Sequence, residues 1–435
     1  MNRENSAATA SLGFRGRLYS LIAAVLTVGL ASYFVAPMLP IFCVETVARG
    51  GLGWSRTDAC SLYGTYMLIA HIAPFIGGIF ADVLFGHIAS MLLGYLFAGY
   101  GIVLLWFFPE TMMVPGFLLY GLGTGCVKVG LATAVGTLCS GPFSDQRNKA
   151  YEYHYFVSCI GFIVGNFFSN LFYDLWGMKT LFIIGSVAVL VSLIFYLCCR
   201  PRTFKQSVPK EEESGSLKEI SIPWMLLGGL LGISILYFAC GYQLNSSLSI
   251  YLFQQVDRVV FGWAVPALWF IVFGYIVMIA LSPLRRKLWE PFERTISFIE
   301  PVKLGVGLAL LGIGFALFSG CAAFPENLGK GPVLLLLLLG MGVFFISDAH
   351  VRPLLFSSAT KFAPQKYRTI ASAVVYSTVG LGGKLAGFLA GGSDMFGFAW
   401  LFSICAAISG FSCVATLLLW KWHAKRSPQL EEASA

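Results

Sequence analysis

The chain has 435 residues, of which 57% are hydrophobic and only 11% are charged, and its mean hydropathy is +0.78. A soluble protein with so few charges would aggregate, so the composition excludes a soluble domain and predicts a polytopic membrane protein. The net charge of +8 does not indicate a nucleic-acid partner, because Lys and Arg fall in short segments between apolar runs, where the membrane surface explains them. The eleven cysteines show no CxxC spacing, so we expect no disulfides, no metal site and no cofactor.

Apolar segments long enough to cross a bilayer recur along the whole chain. Only a helix or a closed barrel satisfies its own backbone hydrogen bonds in lipid, so the sequence predicts an all-α membrane protein with twelve transmembrane helices. The first segment lacks a clear small-residue cleavage site, and we interpret it as a retained span rather than a signal peptide. The predicted spans are residues 18–46, 60–80, 87–108, 112–137, 150–173, 178–199, 223–252, 262–283, 301–323, 332–361, 369–392 and 397–420.

The distribution of basic residues predicts a multi-pass protein of the cell membrane with both termini in the cytoplasm. An even number of spans puts both termini on one side of the membrane. If that side is the cytoplasm, most Lys and Arg residues outside the spans fall in inner segments, as the positive-inside rule requires. The outer segments then hold only Arg49, Arg56, Lys179, Arg258 and Lys330.

A charged connection between the sixth and seventh spans divides the chain. It contains KEEESGSLKE, which is typical of a solvated linker without a fold of its own. We predict an N-terminal six-helix bundle at 1–199, this cytoplasmic linker at 200–222, a C-terminal six-helix bundle at 223–420 and a cytoplasmic tail at 421–435. Two six-span halves joined in this way are the layout of the major facilitator fold, in which a substrate binds between the halves near the middle of the membrane.

The tenth predicted span carries Asp348, His350 and Arg352 within an otherwise apolar helix. Ionisable residues at such a depth are costly and usually mark a substrate or ion pathway. Asp348 and Arg352 are four residues apart, so they share one helix face and can pair. The alternative interpretation is a purely structural ion pair.

The fourth predicted span has Lys128 in its middle, where we expect the ammonium to bind an anion such as a carboxylate. The alternative is a lysine paired with a fixed acid, either Glu152 or Asp348. Glu152 and Tyr155 share one face of the fifth span. Glu152 either lines a cavity or lies at the inner water boundary.

A glycine-rich turn follows the second span, in the stretch PFIGGIFADVLFGH. Gly78, Asp82 and Gly86 resemble the motif between spans two and three of the major facilitator superfamily, with His87 and Ile88 in place of its basic pair. They predict a gating latch. The alternative is a solvated loop end.

Five stretches resemble successive landmarks of the proton-dependent oligopeptide transporter family, in family order and at similar spacing. They are YGTYMLIAHIAPFIGGIFAD, GLGTGCVKVG, HYFVSCIG, QQVDRVVFGWAVPALWF and FFISDAHVRPLLFSSATKFAP. The resemblance implies that Lys128 binds the carboxylate end of a peptide and that Asp348 stands for the glutamate that meets its amino end. It also implies that Tyr155 corresponds to a tyrosine of the family's fifth-span motif.

The sequence departs from the family pattern at several positions. The first span, LTVGLASYFVAPML, has no charge where the family carries the E-x-x-E-R motif used in proton coupling. Tyr242 replaces the seventh-span acid expected just before Gln243, and His71 stands where the family usually has a tyrosine. Polar positions of the eighth span are nonpolar here.

Together these features predict a secondary active or facilitative transporter of small peptides or peptide-like zwitterions that works by alternating access. Its expected partners are a small-molecule substrate such as a di- or tripeptide, protons as a second candidate, and the lipid bilayer. For His71 and Lys384, packing as a polar residue at a helix interface is an equal alternative. The predicted substrate-binding residues are His71, Lys128, Glu152, Tyr155, Tyr242, Gln243, Asp348, Arg352 and Lys384.

Two other functions compete with peptide transport. One is a non-transporting receptor or scaffold that keeps the transporter fold, and the other is a transporter of a non-peptide organic anion. A membrane enzyme is not expected, because the five histidines show no HExxH or HxxxD pattern and no carboxylates are paired for catalysis.

Overall fold

Long helices form almost all of the computed structural model, which describes residues 2–79, 86–139, 143, 146–199, 224–295, 300–324, 329–362 and 368–432. A short antiparallel hairpin of β1 (Val259–Val260) and β2 (Trp263–Ala264) lies between two of the helices. The helices are α1 (Asn2–Val35), α2 (Leu39–Val44), α3 (Arg56–Ile79), α4 (His87–Phe107), α5 (Pro109–Leu138), α6 (Arg147–Trp176), α7 (Met178–Cys198), α8 (Trp224–Gly241), α9 (Ser247–Gln254), α10 (Ala267–Thr295), α11 (Glu300–Ala323), α12 (Lys330–Phe362) and α13 (Arg368–Glu432).

Eleven described stretches are long and apolar enough to cross a membrane, and the last of them, Val374–Trp422, has 49 residues. At about 1.5 Å per residue a straight helix of that length would measure roughly 74 Å, more than twice the ~30 Å of a bilayer core. It is broken at Gly397, whose φ of 81° and ψ of 172° are not helical. The stretch therefore supplies two spans, and the all-α transmembrane architecture predicted from the sequence is confirmed.

The described contacts group the chain into two compact units. The first unit comprises Met1–Phe42 and Ile69–Ser216, and within it α4 packs on α5 while α1 packs on α6 and α7. The second unit comprises Cys43–Leu68 and Leu217–Ala435, and within it α11 packs on α12 and α13 while α8 packs on α13. The predicted linker at 200–222 lies outside the described residues, and the predicted domain boundaries stay a prediction.

Glycines bring α4 and α5 into close contact inside the first unit. A Cβ built on Gly123 would lie 2.2 Å from the backbone nitrogen of Ala98, and one on Gly101 would lie 2.5 Å from that of Tyr120. Small residues let helix backbones approach in lipid, where the hydrophobic effect does not drive helices together. This packing positions α5, the helix that carries Lys128.

We predict that Gly123→Ala lowers the thermal unfolding midpoint, because the added methyl group has no room against α4 and overpacking costs about 1–3 kcal/mol. Gly99→Ala is the matched control, since a Cβ on this α4 residue meets no atom within 4 Å. Intrinsic tryptophan fluorescence of the purified protein during heating measures both midpoints. Equal midpoints for the two variants would contradict the prediction.

Candidate functional site

Asp348 and Arg352 form an ion pair on α12, in the second unit. Arg352 Nε lies 3.1 Å from Asp348 Oδ1 and 3.2 Å from Oδ2, and Nη2 lies 2.9 Å from Oδ1. The predicted pairing along one helix face is present. The two partners differ in access, because 43% of the Arg352 side chain is exposed and only 9% of that of Asp348.

Two aromatic residues of α8 complete this site. The hydroxyl of Tyr237 donates a hydrogen bond to Asp348 Oδ1, and the guanidinium carbon of Arg352 lies 5.4 Å from the centroid of the Phe238 ring. Tyr237 is 1% exposed. The buried carboxylate thus accepts hydrogen bonds from a cation and from a neutral hydroxyl, while the cation also contacts an aromatic face.

We predict that Tyr237→Phe destabilises the protein by about 1.5–3 kcal/mol, the usual contribution of a hydrogen bond to a charged group. Tyr196→Phe is the matched control, since Tyr196 is fully buried and its hydroxyl has no hydrogen-bond partner among the described residues. Chemical denaturation in detergent compares the two free energies of unfolding. A loss of stability no larger than that of the control would rule out a stabilising hydrogen bond to Asp348.

Lys128 lies half-buried on α5, in the first unit. Its ammonium nitrogen lies 5.1 Å from the centroid of the Tyr33 ring on α1, a cation–π contact. No carboxylate of the described residues lies within ion-pair distance of it. Glu152 is exposed on α6, and the described residues show no ion pair between it and Lys128. The alternative of a lysine paired with Asp348 stays a prediction.

The other predicted substrate-binding residues of the first unit differ in their exposure. Tyr155 lies on α6 with 71% of its surface exposed, on the same helix as the exposed Glu152. His71 is half-buried on α3. Their predicted roles in substrate binding stay predictions.

Lys384 lies exposed on α13, and its ammonium donates a hydrogen bond of 2.7 Å to Thr65 Oγ1 on α3. The two helix backbones approach closely here, because a Cβ built on Gly64 would lie 2.7 Å from the carbonyl oxygen of Gly383. The hydroxyl is neutral, so this hydrogen bond does not neutralise the positive charge of Lys384.

The seventh predicted span is interrupted between α8 and α9 by a 3-10 turn, Tyr242–Asn245. Gln243 in this turn is fully buried. Its amide nitrogen donates to the carbonyl oxygens of Ala386 at 2.9 Å and Ala239 at 3.4 Å, and its amide oxygen accepts from Ser247 at 2.6 Å. The Gln243 amide therefore forms hydrogen bonds to protein groups at the helix break. Tyr242 beside it is half-buried, and its ring centroid lies 6.3 Å from that of Phe238.

The predicted gating residues are described only in part. Gly78 lies on α3, Asp82 lies outside the described residues, and Gly86 precedes α4 with a φ of 79°. A side chain at Gly86 would be strained, because L residues rarely adopt a positive φ. Glycine is thus required by the turn itself, and the gating role stays a prediction. The described residues contain no group of His, Cys, Asp or Glu side chains that could hold a metal ion.

Sequence reasoning missed three residues that contact the predicted charges: Tyr33, Tyr237 and Phe238. An aromatic residue in an apolar helix carries no signal of its own, because aromatic residues are common in every span. One indication was available for Tyr237. A buried carboxylate needs hydrogen-bond donors, and tyrosine is a donor that an apolar helix can carry.

Comparison with known proteins identifies the family of the chain. The sequence profile of the Major Facilitator Superfamily matches residues 21–383. The peptide transporter YePEPT of Yersinia enterocolitica subsp. palearctica serotype O:3 (strain YE-P4) is 21% identical, with 89% of this chain and 90% of that protein covered. The uncharacterized transporter YclF of Bacillus subtilis (strain 168) is 20% identical, with 76% of this chain and 78% of that protein covered.

Solved structures share the fold over nearly the whole chain. A POT family transporter in complex with a thioalcohol-conjugated peptide superposes with a TM-score of 0.77 at 17% identity, covering 94% of this chain and 96% of the other. The POT family transporter PepTSo superposes with a TM-score of 0.80 at 15% identity, covering 94% and 98%. The sequence profile and the fold agree, and the chain belongs to the Major Facilitator Superfamily, whose members are membrane transporters and not enzymes.

Proposed function

We propose that the chain transports small peptides or peptide-like zwitterions by alternating access, as a divergent member of the proton-dependent oligopeptide transporter family. The observation that carries the proposal is Lys128, a lysine in mid-span that no described carboxylate neutralises. A relative named as a peptide transporter and a similar fold with a bound peptide support it.

The two charged sites suit the two ends of a peptide. A carboxylate bound to Lys128 would make a charge-assisted hydrogen bond in a setting where charges interact more strongly than in water. Asp348 offers the opposite charge for an amino group. Because Arg352 already occupies this carboxylate, an arriving amino group has to displace the guanidinium, which is the more exposed partner.

A second candidate function is transport of an organic anion. It is favoured by the greater exposure of Arg352 compared with Asp348. Arg352 presents its cation while Asp348 is covered, and Lys128 and Lys384 add two further cations within spans. A substrate without an amino group would leave the ion pair intact.

Uptake into liposomes separates the two functions. Radiolabelled dipeptide uptake is measured in competition with the unlabelled dipeptide, its N-acetylated form, its C-terminal amide and a dicarboxylate. A peptide transporter is expected to discriminate against both blocked forms. Full competition by the N-acetylated form and by the dicarboxylate would identify an anion transporter, and absence of any uptake would favour a receptor or scaffold.

The orientation is part of the proposal. The positive-inside rule supports two cytoplasmic termini in the cell membrane, since few basic residues fall in the outer segments. A reporter that fluoresces only in the cytoplasm, fused to the C-terminus, is expected to be bright. A dark fusion at normal expression would reverse the orientation.

We predict that transport is facilitative or only weakly coupled to protons, because the first span has no acid and no arginine in its core. The residues that remain as candidates to bind the proton are Asp348, Glu152 and His71. Of these, Asp348 is already paired with Arg352. An inward proton gradient imposed on liposomes tests this prediction. Strong accumulation that an ionophore abolishes would show tight coupling, and uptake by His71→Phe and Asp348→Asn would then identify the carrier.

A further inference from the structure

A groove runs between α8 and α13 on the second unit, and none of the charged residues described above lines it. It has a volume of about 800 Å³. Gly229, Gly232 and Leu236 lie on its α8 wall, and Phe411 and Leu418 lie on its α13 wall. The indole of Trp422 carries the only polar side-chain atom among the lining residues.

Glycines create this groove. A Cβ built on Gly229 would lie 2.5 Å from Leu419 Cδ1, so the two helices touch there. Gly232 is exposed, and a Cβ built on it meets no atom within 4 Å, so the missing side chain leaves a gap. The opposite wall is open as well, since Phe411 and Leu418 are 66% and 60% exposed.

Both walls of the groove belong to stretches that can span a membrane, Leu227–Gln254 and Val374–Trp422, so its exposed apolar side chains are suited to contact lipid. An apolar groove of this size suits an acyl chain, since its volume falls within the range of roughly 300–1,000 Å³ that holds drug-sized ligands. Flexible apolar chains are also the most abundant occupant available in a bilayer.

The chemistry at one end of the groove selects the lipid headgroup. Trp422 lines that end, and Lys421 beside it is exposed at the boundary of the span. Two further basic residues, Lys425 and Arg426, follow shortly after Trp422 in the sequence. Tryptophan favours the membrane interface, and basic residues there attract anionic headgroups. We infer that the groove binds one anionic phospholipid, with an acyl chain against Gly232 and the headgroup phosphate at Lys421.

A second copy of the chain is the competing occupant. Gly228 and Gly232 are both exposed and form a GxxxG pattern, which packs helices against each other in membranes. A helix in the groove would account for the glycines. It would leave Lys421 beside the groove end without an anionic partner, whereas a phospholipid accounts for both features.

Native mass spectrometry of the full-length protein tests the inference. The protein is purified in mild detergent and incubated with equal amounts of phosphatidylglycerol and phosphatidylcholine. Wild type is expected to retain one phosphatidylglycerol. Gly232→Leu fills the gap and is expected to reduce the retained lipid at least fivefold. Gly320→Leu on α11 is the matched control, because a Cβ there also meets no atom within 4 Å, and it is expected to retain lipid as wild type does.

A second variant examines the headgroup. Lys421→Gln is expected to keep a bound phospholipid and to lower the preference for phosphatidylglycerol about fivefold, the effect of one basic residue at a membrane surface. Equal retention by Gly232→Leu and wild type would overturn the inference, and so would loss of lipid from Gly320→Leu as well. A dimer that dissociates only in Gly232→Leu would assign the groove to a second copy.

Discussion

Lys128→Ala is expected to lower substrate uptake by at least about 30-fold while the protein still folds and inserts. Truncating one partner of a buried charge pair costs about 2–5 kcal/mol, and each 1.4 kcal/mol is tenfold in affinity. The wild-type ammonium has a cation–π contact with Tyr33 and no described carboxylate, so the substrate is its expected counter-ion. Removing it therefore removes the proposed contact with the substrate and no described ion pair of the protein.

Lys179→Ala is the matched control for this experiment. Lys179 lies exposed at the start of α7, in the same unit, and makes no ion pair with a described residue. Initial rates in liposomes over a range of substrate concentrations compare the two variants, and thermal midpoints report folding. Lys128→Ala uptake equal to that of the control would show that Lys128 does not bind the substrate.

Asp348→Asn is expected to abolish discrimination in favour of a free amino group. The carboxamide keeps the size of the side chain and removes the charge, so a zwitterion loses its partner while an N-acetylated peptide loses nothing. Uptake of the zwitterion is expected to fall at least about tenfold, since a hydrogen bond to a charged group contributes ~1.5–3 kcal/mol. Uptake of the free and of the N-acetylated peptide is measured in parallel for wild type and Asp348→Asn.

Variants of Asp348 and Arg352 also test whether their ion pair is only structural. Breaking a fully buried pair costs about 3–5 kcal/mol, and the exposure of Arg352 reduces that loss. A double-mutant cycle of Asp348→Asn and Arg352→Gln isolates the coupling in stability and in uptake. If both peptides lose uptake equally and only in proportion to lost stability, the pair serves the fold alone.

Asp257→Asn is the control for removal of an acid. Asp257 lies in the loop after α9, and its hydrogen bond to Lys330 lowers the pKa of its carboxyl. Its carboxylate Oδ2 lies 2.8 Å from Lys330 Nζ, and both side chains are exposed. Exposed pairs of this kind contribute little, so uptake and stability are expected to stay at wild-type levels.

The number of spans and the depth of the charges could be predicted from the sequence because lipid acts on each segment separately. A span must be an apolar helix whatever it packs against, and a charge inside it stands out at once. The pairing of Asp348 with Arg352 followed for the same reason, since four residues along a helix make one turn. None of these conclusions needed a contact between distant segments.

The partners of those charges were decided by helix packing. Tyr237 is 111 residues from Asp348 in sequence, and its hydroxyl donates to that carboxylate only because α8 lies beside α12. The same holds for the amide of Gln243, which bonds to Ala386 on α13 and was predicted to meet substrate. Apolar helices carry little periodicity in lipid, because most of their residues are hydrophobic on every face. Which side of a helix faces a neighbour therefore depends on shape and on a few hydrogen bonds, and these exist only in the folded chain.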